Sequence, residues 1–462
     1  MAIHRRWDVL RSAITSDVVL PEDAGYDDAR VTFNGTIDRR PAVIVMPRSA
    51  PDVAAAIRWA RDVNLPIAIR GGGHSVAGHA VADDALVVDL RAMRDVVVDP
   101  VRRRARVGGG ALWEDVDRAT TAHGLAMPGG TFGDTGVGGL TLGGGLGWLM
   151  GTSGLTCDTL VRAEVVTADG SIVIAGEGGD AELLWALRGG GGNFGVVTEF
   201  EFALQPVESL YVASVSVPIE SAAAAMHAVA EVARDAPPEL AIFAGGPGKL
   251  VEEGATEPAE GAPVVFDVSL VYQGSAAGAE PSIRPVLALP RLGGTFGLRT
   301  YLEVQEMNGT LPFGLRHYWK GHFVRDLDGP TIQAIVDAMR SAVGSAFVLI
   351  EALTGAARRE PPGGAAFGQR QAQWNISGLA IWEAVEEDPV HIGWARAFAD
   401  ALRPSSLTGA GYANYAPVDE TPERVLAAFG PERFERLAQV KRRYDPDNVF
   451  RFNLNIPPAA AG

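Results

Sequence analysis

A glycine triplet ending in histidine, Arg70-Gly71-Gly72-Gly73-His74-Ser75, follows directly on the apolar run Leu65-Pro66-Ile67-Ala68-Ile69. Backbone without side chains can approach a phosphate closely and aim N–H groups at it, and an imidazole carried on that loop reaches whatever the loop holds. A second cluster lies downstream, Gly129-Gly130-Thr131-Phe132-Gly133-Asp134-Thr135-Gly136-Val137-Gly138-Gly139-Leu140-Thr141-Leu142-Gly143-Gly144-Gly145. Two such loops can clamp one dinucleotide; the alternative for the first is a glycine-rich turn after a strand with a histidine on its rim.

At 462 residues the chain is longer than one hydrophobic core usually serves, so two domains are expected. A net charge of -16 argues against nucleic acid or anionic membrane as partner, since both draw affinity from clustered Lys and Arg. The basic run Arg102-Arg103-Arg104 with Arg106 is short and reads as an exposed strand edge or turn. The single cysteine, Cys157, excludes an internal disulfide and leaves a buried or a reactive thiol. Behind Met1-Ala2-Ile3-His4-Arg5-Arg6-Trp7 no apolar signal segment follows, and no later run reaches membrane-spanning length, so the cytoplasm is the default compartment. The histidines show no ligand spacing, and no metal is expected.

Residues 42–47 read as a strand, Ser49 with Asp52 as a capping box for a helix to about residue 64, and residues 67–70 as a returning strand. That βαβ unit delivers the first glycine loop at the carboxyl end of a strand, where open α/β sheets bind ligands. Further strands are expected at 86–90, 95–99, 104–107, 163–167, 172–174 and 196–202, with a helix over 112–123 whose Leu112, Val116 and Ala119 share a face, and another ending at Arg188. From residue 210 to about 402 the pattern suggests an antiparallel sheet backed by helices: strands at 212–217 and 264–272, helices at 220–234 and 331–343, and an exposed loop over 245–263. A closing helix over 431–444 carries Phe434, Leu437, Ala438 and Lys441 at helical spacing. A Rossmann fingerprint is rejected because Phe132-Gly133-Asp134-Thr135 makes a poor strand, and no Walker A sequence is present.

Two further motifs complete the pattern, Trp185-Ala186-Leu187-Arg188-Gly189-Gly190-Gly191-Gly192-Asn193-Phe194-Gly195-Val196-Val197-Thr198 and Tyr444-Asp445-Pro446-Asp447-Asn448-Val449-Phe450-Arg451-Phe452-Asn453. With the two glycine clusters they resemble, in order from about Arg39 to Ile456, the berberine-bridge-enzyme-like FAD-linked oxidases, whose FAD domain is of the vanillyl-alcohol-oxidase (PCMH) type. The resemblance implies a two-domain α+β flavoprotein. Residues 1–203 would form an FAD domain of two α/β subdomains, 204–404 a substrate domain with an antiparallel sheet backed by helices, and 405–462 a segment returning to the FAD domain.

The resemblance also implies FAD held covalently through His74. Doubly linked relatives carry a cysteine where this chain has Phe132, and Cys157 lies well beyond, so no cysteinyl link is expected. The pyrophosphate would rest on backbone around Gly71, Gly72, Gly73 and Ser75 and around Gly138, Gly139, Thr141 and Gly145, with Arg70, Gly78, His79, Thr131, Gly133 and Asp134 also assigned to the cofactor site. Thr135 stands where relatives control oxygen access, Val197 on the adenosine side, and Asn414 and Asn453 on segments that meet the flavin.

The family motif Tyr-x-Asn-Tyr stands here as Tyr412-Ala413-Asn414-Tyr415 on a closing strand, and the resemblance gives Tyr415 the role of base beside Tyr412. A phenol with pKa about 10 needs a stabilised phenolate to serve at neutral pH; the alternative is two strand aromatics packed in the core. Gln369, Gln371, Gln373, Asn375 and Ser377 alternate along a presumed strand, facing either solvent or substrate, and Tyr318, Trp319, Lys320 and His322 are further wall candidates. A groove with several amides suits a polyhydroxylated substrate. The expected activity is oxidation of an alcohol-bearing small molecule, a sugar, oligosaccharide or secondary metabolite, with a hydride passing to FAD and O2 reoxidising it to hydrogen peroxide. A dehydrogenase with another acceptor, an oxidative cyclase and a flavin carrier without turnover are the alternatives.

Overall fold

The computed structural model describes residues 4–251 and 257–460. Ser49 caps the Ala50–Asp62 helix by accepting from the Asp52 N–H, and Pro51 fits the first turn, where a missing N–H costs nothing. This helix links the Val43–Met46 and Ile67–Arg70 strands, and the Leu86–Asp89 strand lies between them, parallel to both. The expected βαβ unit is therefore present with a later strand inserted at its centre. The short Asp17–Val19 strand closes one edge antiparallel.

A second, antiparallel sheet runs in the order Val96–Asp99, Arg104–Gly108, Val196–Ala203, Leu160–Val166, Ile172–Gly176. The basic run occupies the first hairpin, with Arg103 at φ 52° and Arg104 paired to Glu177 at 2.9 Å. The helix expected over 112–123 is confined to Trp113–Thr121. Because Leu112 is its N-cap, the buried face is Trp113, Val116, Asp117 and Thr120 rather than the Leu112–Ala119 stripe.

The second domain is one antiparallel sheet. Among the described residues its strands lie in the order Gly293–Arg299, Leu210–Pro218, Val264–Gln273, Leu240–Lys249, Phe347–Ala352, Trp374–Trp382, Arg316–Val324. Strand alternation sends Trp374, Ile376, Ala380 and Trp382 into a core shared with the Ala222–Arg234, Gly329–Arg340 and Asp388–Leu402 helices. The opposite face turns toward the FAD domain.

Residues 245–249, expected in a loop, instead continue the Leu240–Lys249 strand across a register shift between Gly245 and Gly248. Glycine at 245 is a packing requirement, since a Cβ there would lie 2.7 Å from the Val348 carbonyl oxygen. The part of that expected loop over 252–256 lies outside the described residues. Residues 369–373 are likewise not strand, which begins only at Trp374.

The Pro431–Tyr444 helix returns to the first domain and packs Leu437 and Ala438 into a core with Trp185 and Phe194. Lys441, fully buried, donates to the carbonyls of Asn193 and Phe450, both at 2.8 Å, and to Asp445 at 2.7 Å. Asp445 in turn accepts from the Val449 and Phe450 N–H groups. Replacing Lys441 with Met leaves that carboxylate without its cation, an expected loss of about 3 kcal/mol or more in unfolding free energy, read from the shift of a denaturation midpoint. Among the described residues no helix is long and apolar enough to cross a membrane.

Candidate active site

The two glycine clusters meet backbone to backbone. A Cβ on Gly72 would sit 2.5 Å from the Gly136 nitrogen, and one on Gly136 would sit 2.3 Å from the Gly72 nitrogen. Gly73, at φ +78°, turns the first loop so that His74 and Ser75 face inward. Between these loops and the free face of the large sheet lies a cavity of about 1060 Å³.

Gly71, Gly72, Gly73, His74, Ser75, His79, Thr131, Thr135, Gly138, Gly139, Val197, Asn414 and Asn453 line it, as does the 189–192 loop. Other expected cofactor residues lie behind this wall. Arg70 packs its guanidinium under Gly73 and donates to the Ala29 carbonyl at 2.7 Å; burial pushes it down to about 10. The Gly78 carbonyl accepts from Arg39, the Gly145 N–H donates to the Tyr412 oxygen at 2.7 Å, Thr141 is fully buried, and Gly133 packs on Glu114. Asp134 sits behind His74, 3.6 Å from its Nε2. Burial pushes His74 down to about 4, so its ring is neutral at pH 7.

Phe132 lines the cavity, whereas Cys157 is fully buried in a separate apolar cluster, where desolvation pushes its thiol well up. The buried-thiol alternative is the one realised.

Tyr412 caps and Tyr415 ends a 3₁₀ turn over Ala413–Tyr415, where a strand was expected, and their rings meet edge to face at 4.9 Å. The Tyr412 oxygen accepts from Gly145 and from Asn414, at 2.7 and 2.8 Å. Tyr415 packs against Trp319, and its hydroxyl donates to Glu351 Oε1 at 3.2 Å. Asn375, directly across the ladder from Glu351, donates to Oε2 at 2.6 Å. Glu351 is 2% exposed, and burial, only partly offset by these two hydrogen bonds, pushes its carboxyl up to about 7. Both tyrosines are pushed up as well, by burial first and then by Glu351. Glu351 was missing from the sequence reading, although a lone carboxylate in Phe347-Val348-Leu349-Ile350-Glu351-Ala352 is a legible signal.

Most expected substrate residues face elsewhere. Tyr318 points into the helix-side core and donates to Asp419 at 2.8 Å. Lys320 and His322 follow it by alternation, and the His322 Nε2 pairs with the Ala399 carbonyl. Trp319, between them, lines the cavity. Gln369 donates to the Ala428 carbonyl, Gln373 to the Ala233 carbonyl, and Gln371 is exposed. Of that polar stripe only Asn375 touches the Tyr415–Glu351 pair.

Comparison with known proteins bears on what the cavity holds. The FAD binding domain family matches residues 41–176, and the berberine and berberine-like family matches residues 411–457. (R)-6-hydroxynicotine oxidase of Paenarthrobacter nicotinovorans is 32% identical across 96% of this chain and 97% of its own. The chain belongs to the berberine-bridge-like FAD-linked oxidases. A crystal structure of 6-hydroxy-D-nicotine oxidase from Arthrobacter nicotinovorans superimposes with TM-score 0.86 at 29% identity, covering 96% of this chain and 98% of that one. The BBE-like 1 protein of Physcomitrella patens shares the fold at TM-score 0.88 and 22% identity, over 99% and 100% of the two chains. Glucooligosaccharide oxidase from Acremonium strictum, described with a 6-S-cysteinyl, 8α-N1-histidyl FAD, aligns at TM-score 0.85 and 25% identity over 99% and 100%.

For a berberine-bridge-like oxidase the cavity fits FAD on its own evidence. Gly139 and Gly192 line it, and a Cβ on either would meet no protein atom within 4 Å, so both leave open space for an occupant of the cavity. The His79 Nε2 and Asn453 Oδ1 atoms are buried without partners among the described residues. The Val137–Gly143 helix opens its N-terminus beside Gly138 and Gly139, where N–H groups favour an anion without any Lys or Arg.

Proposed function

We propose that this protein is an oxidase that takes two electrons from a carbon bearing a hydroxyl or amine group, with FAD bonded covalently to His74 and O2 as final acceptor, giving hydrogen peroxide. When bound, FAD supplies the acceptor for the electrons and hydrogen leaving that carbon. The observation that carries the reading is the Tyr415–Glu351 pair on the cavity wall opposite the glycine loops. Tyr415 takes the proton from the substrate O–H or N–H while its own passes to Glu351 Oε1, and Asn375 holds the other carboxylate oxygen in place. The relay answers the difficulty of a lone phenol, because the proton comes to rest on a carboxylate poised near neutrality.

The walls beside the pair are Trp319, Phe347, Leu349 and Leu379. Such a surface desolvates an aromatic or alkyl group, and Gln369, Gln371 and Gln373, the amides expected to meet a sugar, are hydrogen-bonded elsewhere or exposed. An apolar alcohol or amine is the favoured substrate class, in keeping with the similarity to 6-hydroxynicotine oxidase.

The test is peroxide release by the holoenzyme across a panel of aryl and alkyl alcohols, secondary amines and oligosaccharides. One peroxide per substrate oxidised is expected, and slow reoxidation in air would instead indicate a dehydrogenase. Because Glu351 must be ionised to accept the proton, and its carboxyl is raised to about 7, the rate should climb with pH through a limb near 7 and fall off below it. A flat profile from pH 5 to 8 would remove Glu351 from the mechanism.

A further inference from the structure

Attachment of a flavin to His74 requires one ring nitrogen free to form the bond and the ring itself held still. Phe33 stacks on the imidazole at 4.7 Å between centroids and 19° between planes, and Phe313 meets it edge-on at 5.1 Å. Phe33 is itself fully buried, backed on His317 at 4.1 Å, and its N–H donates to the Gly73 carbonyl. Next to it, the Asn34 side chain donates to the carbonyls of Val76 and His317, at 2.6 and 2.9 Å. A segment outside both glycine clusters thus fixes the plane of the ring.

The edge of the ring is set by Asp134. Its Oδ2 lies 3.6 Å from His74 Nε2, just past hydrogen-bond reach. The same oxygen accepts from the Leu311 N–H at 3.2 Å, so the second domain holds the carboxylate in place. His74 Nε2 and Asp134 Oδ1 are both buried without a hydrogen-bond partner among the described residues. Asp134 does not line the cavity, whereas His74 does.

We propose that Asp134 is the positioning residue for flavin attachment: it engages the Nε2–H of His74, selects that tautomer, and so leaves the Nδ1 lone pair to form the bond. The inference rests on the reading that His74 carries the flavin. A neutral imidazole otherwise divides between two tautomers, and a carboxylate on one nitrogen decides which one is protonated. A bond forms from Nδ1 to the 8α carbon, one C–H of that methyl group breaks, and its proton leaves. Two electrons pass into the flavin ring, and O2 carries them off with two protons as hydrogen peroxide. The second proton comes from Nε2–H, and the Asp134 carboxylate stabilises the imidazolium until it departs.

The test compares wild-type protein with Asp134→Asn and Asp134→Ala, measuring total bound FAD and the acid-stable fraction by precipitation and gel fluorescence, over a time course of FAD addition to flavin-free protein. Asparagine keeps the shape and the acceptor for Leu311 but not the charge, so both variants should bind FAD and attach it at least tenfold more slowly. Wild-type rates of attachment in both variants would overturn the proposal. The linkage isomer of the histidyl flavin released from wild-type holoenzyme is a second readout that needs no variant: Nδ1 supports the proposal and Nε2 overturns it. Wild-type protein with no acid-stable flavin would instead overturn the reading that His74 is the attachment site.

Discussion

Glu351→Gln is expected to lower kcat by about 10²- to 10⁴-fold, the range over which a positioned base contributes, while leaving flavin content unchanged. Glutamine keeps the size of the side chain and an oxygen that can accept from Tyr415, while its amide nitrogen faces Asn375, whose unpaired Oδ1 can turn to receive it, so packing is not the cause of the loss. What disappears is a group able to hold the proton. Tyr415→Phe should cost a similar factor, because it removes the hydroxyl whose 3.2 Å bond to Glu351 joins substrate to carboxylate. Since the two act as one unit, the double variant should be little worse than either single one. A double variant whose losses multiply would show two independent roles. The measurement is steady-state turnover with flavin content determined on the same samples.

The second large effect concerns Gly139, whose missing side chain leaves open space in the cavity wall. Gly139→Leu should fold at least as well as the wild type, because it lies within the Val137–Gly143 helix and leucine is the better helix former by about 0.7 kcal/mol. A Cβ at this position meets no protein atom within 4 Å. The new side chain occupies the place where backbone must approach the cofactor, so bound flavin should fall from about one per chain to less than a tenth, a loss of roughly 100-fold in affinity for about 3 kcal/mol of overlap. Visible absorbance against protein absorbance measures the first quantity, and a thermal midpoint of the flavin-free proteins measures the second. Full flavin content in Gly139→Leu would place the cofactor elsewhere.

What the sequence made legible is what short-range chemistry determines. Ser49 with Asp52, the glycine clusters, and the Pro431–Tyr444 helix are each specified by neighbours within a turn or two, and all stand where they were expected. The side chains of the substrate wall depend instead on strand parity, and shifting by one residue sends a side chain to the opposite face. Trp319 faces the cavity, whereas Tyr318 and Lys320, one residue to either side, do not. Residues 369–373 alternate like a strand but turn, because Gln369 and Gln373 satisfy backbone carbonyls of Ala428 and Ala233, far away in sequence. Glycine and proline disguised residues 245–249 as a loop, when the close approach of the Val348 backbone is what excludes a side chain at 245. Glu351 meets Tyr415 across a sequence separation of 64, and His74 meets Asp134 across a comparable gap, so neither pair has a local signature.

The central claim is an FAD oxidase whose cofactor is bonded to His74, and mass analysis of acid-precipitated protein tests it most directly. The pellet should stay yellow, and the proteolytic peptide containing His74 should carry one added flavin, with none on the peptide containing Cys157. Flavin released entirely into the supernatant, or an adduct found at Cys157 and not at His74, would contradict the account.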